Sequence, residues 1–289
     1  MKRSGNRKKY ILFGLMFLVG LSILLYPTIS DKWNKYRDSK LVASYTETIQ
    51  DNTSQEKIDE MLEAAKAYNA QVHEESIPDA FSVRDGVTDE SYENLLNVEA
   101  DGMMGYVEIP VISQTIPIYH YTTDESLSKG AGHLFGSSLP IGGESTHAVI
   151  SAHRGLPSAK LFTDLNLVEI GNVFYIHVLD QTLAYEVDQI LTVEPDETSS
   201  LAITEGEDYV TLVTCTPYAV NTHRLLVRGH RIAYEEGKAI EETETKVSGI
   251  NNPSLVILGA CVIAGVVIAV AIVTIYSKLK DKKRSRKRR

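Results

Sequence analysis

The sequence predicts a mostly β outer domain, a closed barrel or sandwich, preceded by helices and flanked by a membrane-crossing helix at each end. Three observations predict it. From Gly105 onward, short apolar runs rich in β-branched and aromatic residues alternate with turn signals. Two stretches, Tyr10–Tyr26 and Ser254–Tyr276, are uncharged over 17 and 23 residues. Charge is also segregated. Residues 1–9 carry five Lys/Arg and no acid, and residues 278–289 carry nine Lys/Arg and one Asp; with a net charge of −9 overall, residues 10–277 hold −22.

In chain order, residues 1–30 read as a basic start and an anchor. The apolar run continues through Pro27 to Ile29 and has no small-residue cleavage site behind it. It is longer than a signal-peptide core, so an uncleaved span is expected. Residues 31–98 read as a helical segment. "WNKYRDSKLVASYTETI" and "SQEKIDEMLEAAKAYNAQV" carry apolar residues at three- and four-residue spacing, broken at Asp51–Ser54. Ser54 is a partial N-cap signal. Glu74–Glu99, with Pro78, Gly86 and many acids, reads as loop.

Residues 99–236 form the β domain. Candidate strands are "YVEIPVI", "TIPIYHY", "THAVISAH", "VFYIHVL", "LAYEVDQILTVE", "DYVTLVTC" and "HRLLVRGHRIAY", separated by "IGGES", "HRGLP" and "EPDE". One short helix, "SAKLFTDL", is expected after Pro157. About seven or eight strands at this spacing suit a barrel or sandwich. Residues 237–253 are polar and acidic and read as a linker; 254–277 is the second span and 278–289 a basic tail. Basic segments at both ends place both termini in the cytoplasm and the acidic middle outside. Beside a span, the tail is a topology signal that touches anionic lipid rather than nucleic acid.

Only two cysteines occur, and Cys261 lies within the second apolar stretch. Cys215 therefore has no partner for a disulfide within the outer domain. It is either a small buried apolar residue or a working thiol. An ordinary thiol is only about 3% thiolate at pH 7, so a working one needs a base or cation beside it. No metal enzyme is expected. There is no H-E-x-x-H and no cysteine pair, and His147 and His153 on one strand would stand about 20 Å apart. No cofactor is expected. His153 ends one strand run, Cys215 ends another, and Arg224 begins the next, so three polar groups at strand ends point to one rim.

"TLVTC" with an arginine nine residues on, together with the upstream "SAHRG", resembles the sortases, cysteine transpeptidases of the Gram-positive cell surface. "THAVISAHRGLPSAKLFTDL", "TLVTCTPYAVNTHRLLVRGHR", the opening "LLYPTISDKWN" and the second apolar stretch resemble class C, the pilus-polymerising group. The resemblance implies an eight-stranded sortase barrel. It implies Cys215 as nucleophile, His153 as general acid/base and Arg224 as oxyanion stabiliser; by charge alone Arg154, Arg228 and Arg231 would compete. It implies that an LPxTG-like sorting signal is cut between Thr and Gly, and that the acyl group passes through a thioester to a pilin lysine. The partners implied are pilin subunits and membrane lipid. Class C enzymes often carry a lid with the pattern Asp-Pro-aromatic. Here residues 74–84 offer Asp79-Ala80-Phe81, with Ala80 in place of proline. Asp79 is expected to pair with Arg224 and Phe81 to cover Cys215. The competing readings are a hydrolytic cysteine peptidase, a housekeeping sortase that anchors proteins to the cell wall, and a non-enzymatic membrane adaptor.

Overall fold

A computed structural model describes residues 4–72, 78–81 and 89–248. The expected second span and basic tail lie outside the described residues, as do the flanks of the candidate lid and His73.

Helix α1 (Ser4–Glu47) is a single helix from the basic start through the apolar stretch and past Pro27. Among the described residues it alone is long and apolar enough to cross a membrane. A π-helical turn (Thr48–Asn52) and extended Thr53 end it. Helix α2 (Gln55–Asn69) begins at Ser54, whose hydroxyl accepts from the Lys57 amide at 3.4 Å. Two polar anchors tie these helices to the barrel. Tyr45, fully buried, donates its hydroxyl to Met104 O (3.1 Å) and accepts from the Leu179 amide (2.8 Å). Asn69 exchanges two hydrogen bonds with the backbone of Leu139.

The expected loop over 74–99 contains a short helix, α3 (Glu90–Glu93), capped by Asp89. The barrel strands are β1 (Met103–Ile109), β2 (Gln114–His120), β3 (Ala131–His133), β4 (Thr146–Ser151), β5 (Val173–Val178), β6 (Gln181–Val193), β7 (Asp208–Thr216) and β8 (His223–Ile232). They close in the order β1-β2-β3-β4-β7-β8-β6-β5. The β2–β3 and β4–β7 pairs are parallel and the rest antiparallel. Helix α4 (Asp124–Lys129) links β2 to β3, and helix α5 (Tyr234–Ser248) follows β8. The core fills the barrel with side chains such as Val107, Ile118, Ile150, Phe174, Leu212 and Val227, and extends under α1 and α2.

Three expectations are corrected. "YVEIPVI" is not strand throughout: it leaves the sheet at Ile109, and Pro110–Ile112 forms a 3-10 turn, since proline cannot donate to the ladder. "SAKLFTDL" is not a helix. It is a run of turns ending in a 3-10 turn at Leu165–Leu167, with Leu161 in the left-handed region (φ 43°). The linker over 237–253 is helical as far as Ser248. It forms because α5 has a surface to lean on: Ile240 packs on Val173, Tyr175 and Ala184, and Lys238 lies over the Tyr175 ring.

Candidate active site

Strand register brings the three sequence candidates into one row. In the β7–β8 hairpin, Cys215 stands directly opposite Arg224, so both side chains share a face. The parallel β4–β7 pairing runs to Ser151 opposite Val213, and the Ala152 amide continues it by donating to Val213 O (3.1 Å). The next residue on that face, His153, is thus level with Cys215. On β4 the even residues Ala148 and Ile150 enter the barrel core. The odd residue Val149 joins a second apolar cluster on the outer face, with Leu134, Val213 and Leu226.

That outer cluster is covered by the candidate lid. Ala80 is 2% exposed and packs among Val149, Val213, Leu226 and Leu201. Asp79 binds Arg224 in a two-pronged ion pair, Nε to Oδ1 at 2.7 Å and Nη2 to Oδ2 at 2.8 Å. Arg224 Nη1 donates to the carbonyls of Asn221 and His223. Phe81 lies against the His153 ring (centroids 5.9 Å apart) and under the Arg224 guanidinium (5.2 Å). The expected Asp79–Arg224 contact is thus present. The ring contacts of Phe81 are to His153 and Arg224, the neighbours of Cys215 in the row.

Cys215 is a free thiol and 8% exposed. Burial pushes its pKa up, Arg224 pulls it down, and Asp79 pushes it up again, with a net rise. Burial lowers the His153 pKa, and Asp124 offsets this in part. At neutral pH the covered site therefore holds a thiol and a neutral imidazole rather than an ion pair.

The rival arginines are engaged elsewhere. Arg154 braces the loop after β4, donating to Thr163 O, Thr216 Oγ1 and Asn166 Oδ1. Arg228 forms a two-pronged pair with Asp188 and stacks over Tyr209, four residues down β8 from Arg224. Arg231 faces Asp208 and the Tyr185 ring. The loop after His153 is close-packed. Gly155 has φ 83°, and a Cβ there would sit 2.9 Å from the ring of Tyr218 on the β7–β8 turn. Sequence reasoning missed the apolar floor beneath the lid, although alternation along β4, β7 and β8 carries it.

Known proteins match this chain as follows. Residues 107–232 fit the family described as Sortase domain. The chain is 49% identical to a crystal structure of Streptococcus pneumoniae Sortase C, covering 68% of this chain and 97% of that one, with a TM-score of 0.62. It is 46% identical to Streptococcus agalactiae Sortase C1, covering 68% and 96%, also with a TM-score of 0.62. It is 22% identical to Sortase A of Bacillus anthracis over 187 residues, 64% of this chain and 85% of that protein.

Proposed function

Since the chain belongs to the sortase family of cysteine transpeptidases, we propose that it polymerises pilins by transferring a sorting-signal acyl group onto a lysine of the next subunit. The observation that carries this reading is the single row of His153, Cys215 and Arg224, closed by the Asp79–Ala80–Phe81 segment. Cys215 Sγ attacks the Thr carbonyl carbon of an LPxTG-like signal, and its proton passes to the neutral His153. The carbonyl oxygen becomes an oxyanion beside Arg224, which stays charged at any working pH. The C–N bond then breaks, His153 returns the proton to the leaving glycine amine, and a thioester remains. A lysine amine attacks the thioester, His153 takes the surplus proton from the attacking nitrogen and hands it to the leaving Cys215 sulfur, and the thiol is restored as the isopeptide bond forms.

In the covered state this sequence cannot start. Arg224 turns its Nε and Nη2 to Asp79 and its Nη1 to two carbonyls, so the group that would meet the oxyanion is already engaged. Substrate must displace Asp79 before an oxyanion has a partner. We also propose residues 99–236 as the catalytic unit, the first apolar stretch as a membrane anchor, residues 254–277 as a second span, and both termini as cytoplasmic. Incubating the protein with candidate pilins tests the function. SDS-resistant ladders that require Cys215 support it. Release of free acid alone identifies a hydrolase, and attachment only to cell-wall peptide identifies an anchoring enzyme.

A further inference from the structure

The floor beneath the lid contains one polar group that the chemistry above does not use. Ser151 is fully buried, and its Oγ has no hydrogen-bond partner among the described residues. It lies on β4 between Val149, which packs against the lid cluster, and His153, which touches Phe81, so alternation turns it to the same outer face. Its opposite neighbour on β7 is Val213, and the next residues in the row are Leu226 on β8 and Leu191 on β6, all in the apolar cluster. On the other side it faces Gly132 of β3, which has no side chain to reach it. Ser151 is thus a lone hydroxyl in an otherwise apolar row, one row below His153, Cys215 and Arg224.

None of the described residues satisfies this group in the covered state, and an alanine would fill the space without the penalty of an unmade hydrogen bond. An extended peptide entering the uncovered groove brings the matching problem. Its main-chain carbonyls must leave water on a floor that offers them no other side-chain donor in that row. Strand rise puts Ser151 about 7 Å from the level of Cys215, the length of roughly two extended residues.

We propose that Ser151 is a substrate-positioning residue: its hydroxyl donates to a main-chain carbonyl of the bound sorting signal, upstream of the scissile bond. The same hydroxyl, unpartnered under the lid, disfavours the covered state, so binding of substrate exchanges an unsatisfied donor for a satisfied one. This rests on the transpeptidase reading above.

The test uses the full chain in detergent micelles and a short LPxTG-containing peptide, with Ser151→Ala and Ser151→Thr made both in the native chain and in the Asp79→Ala, Phe81→Ala background. In the uncovered background Ser151→Ala should raise KM roughly three- to tenfold with kcat little changed, the effect of one neutral hydrogen bond. Ser151→Thr, which keeps the hydroxyl, should restore most of it. In the native background Ser151→Ala should also slow alkylation of Cys215 by a small thiol reagent; without the lid that rate should not change. An unchanged KM for Ser151→Ala in the uncovered background, with unchanged thermal melting, overturns the assignment while leaving the transpeptidase reading intact. If the native chain turns over no sorting-signal peptide while remaining folded, the transpeptidase reading falls and the assignment falls with it.

Discussion

Replacing Asp79 and Phe81 together by alanine is expected to expose Cys215. The Asp79–Phe81 segment is held over the row by few contacts, and each can be given a size. The two-pronged Asp79–Arg224 pair is 16% and 12% exposed at its side chains, so it is worth about 1–2 kcal/mol after solvent screening. The half-buried Phe81 ring adds about 1 kcal/mol of apolar burial and about 0.5 kcal/mol from its place under the guanidinium. The unmet hydroxyl of Ser151 opposes closure by about 1 kcal/mol. The balance is about 2 kcal/mol, a covered-to-open ratio of about 30. A small thiol reagent that reacts only with the open form should therefore alkylate the double variant about 30-fold faster at fixed pH. The pH profile should move as well. Asp79 raises the thiol pKa and occupies the arginine that lowers it, so its removal shifts the midpoint of the alkylation curve to lower pH. The assay is pseudo-first-order alkylation followed by intact mass from pH 6 to 10. Rates within twofold of the parent and an unmoved midpoint, in a variant with the parent's melting curve, would mean that Asp79 and Phe81 do not shield Cys215.

Cys215→Ala should abolish pilin ladder formation without changing the fold; ladders made by the purified variant would remove Cys215 from the nucleophile role. His153→Ala and Arg224→Ala should each lower kcat/KM by at least about 10², the scale of losing an acid/base or an oxyanion donor. Arg228→Ala should mainly lower the melting temperature, because it strips the partner from Asp188; a larger catalytic loss at Arg228 than at Arg224 would move the oxyanion role. Acid should weaken the fold before it titrates most carboxylates. Buried His133 and His147 have pKa values pushed down from 6.5 to about 4. A lowered pKa means the unfolded chain binds protons first, so their contribution is complete above about pH 6.5 and is lost as pH falls toward 4. It amounts to at most roughly 3 kcal/mol for each histidine. Melting temperatures flat between pH 6.5 and 4 would contradict this.

The placing of His153, Cys215 and Arg224 in one row was legible because it depends on where strands run and on counting. A nine-residue step from Cys215 to Arg224 across one hairpin turn sets them opposite each other. The expected strand through "THAVISAH" ends at Ser151, so His153 stands two residues past the strand rather than at its end. The segment after Pro157 was not legible. Ala159, Phe162 and Leu165 are all buried, which at three-residue spacing imitates a helix face. The backbone there is instead claimed from outside: Ser158 O accepts from Ser30 and Asn34 of α1, and the Lys160 amide donates to Asp31. Strand β3 was missed for a related reason. "GAGH" carries too little side chain to read as a strand, yet Gly132 is required because a Cβ would lie 2.2 Å from Tyr121 O. Helix α5 was hidden by its acids, since the face that holds it down is visible only with β5 and β6 in place. Ala80 read as a departure from a pattern; in place it is a buried wedge.

Helix α1 has a consequence for where the chemistry happens. It runs unbroken out of the apolar stretch, and within its next turn Ser30, Asp31 and Asn34 hold the loop that follows His153. Tyr45, 15 residues beyond Ser30 and about 22 Å further along the axis, pins the β1 and β5 side of the barrel. With the apolar stretch in a bilayer, the enzyme does not hang on a slack tether. It stands on a rigid post, and the cleft is held at a fixed altitude close to the lipid headgroups. If the chain polymerises pilins as proposed, subunits would react there as travellers in a plane, and growth of the polymer would depend on lateral diffusion at the membrane rather than on concentration in the space above it.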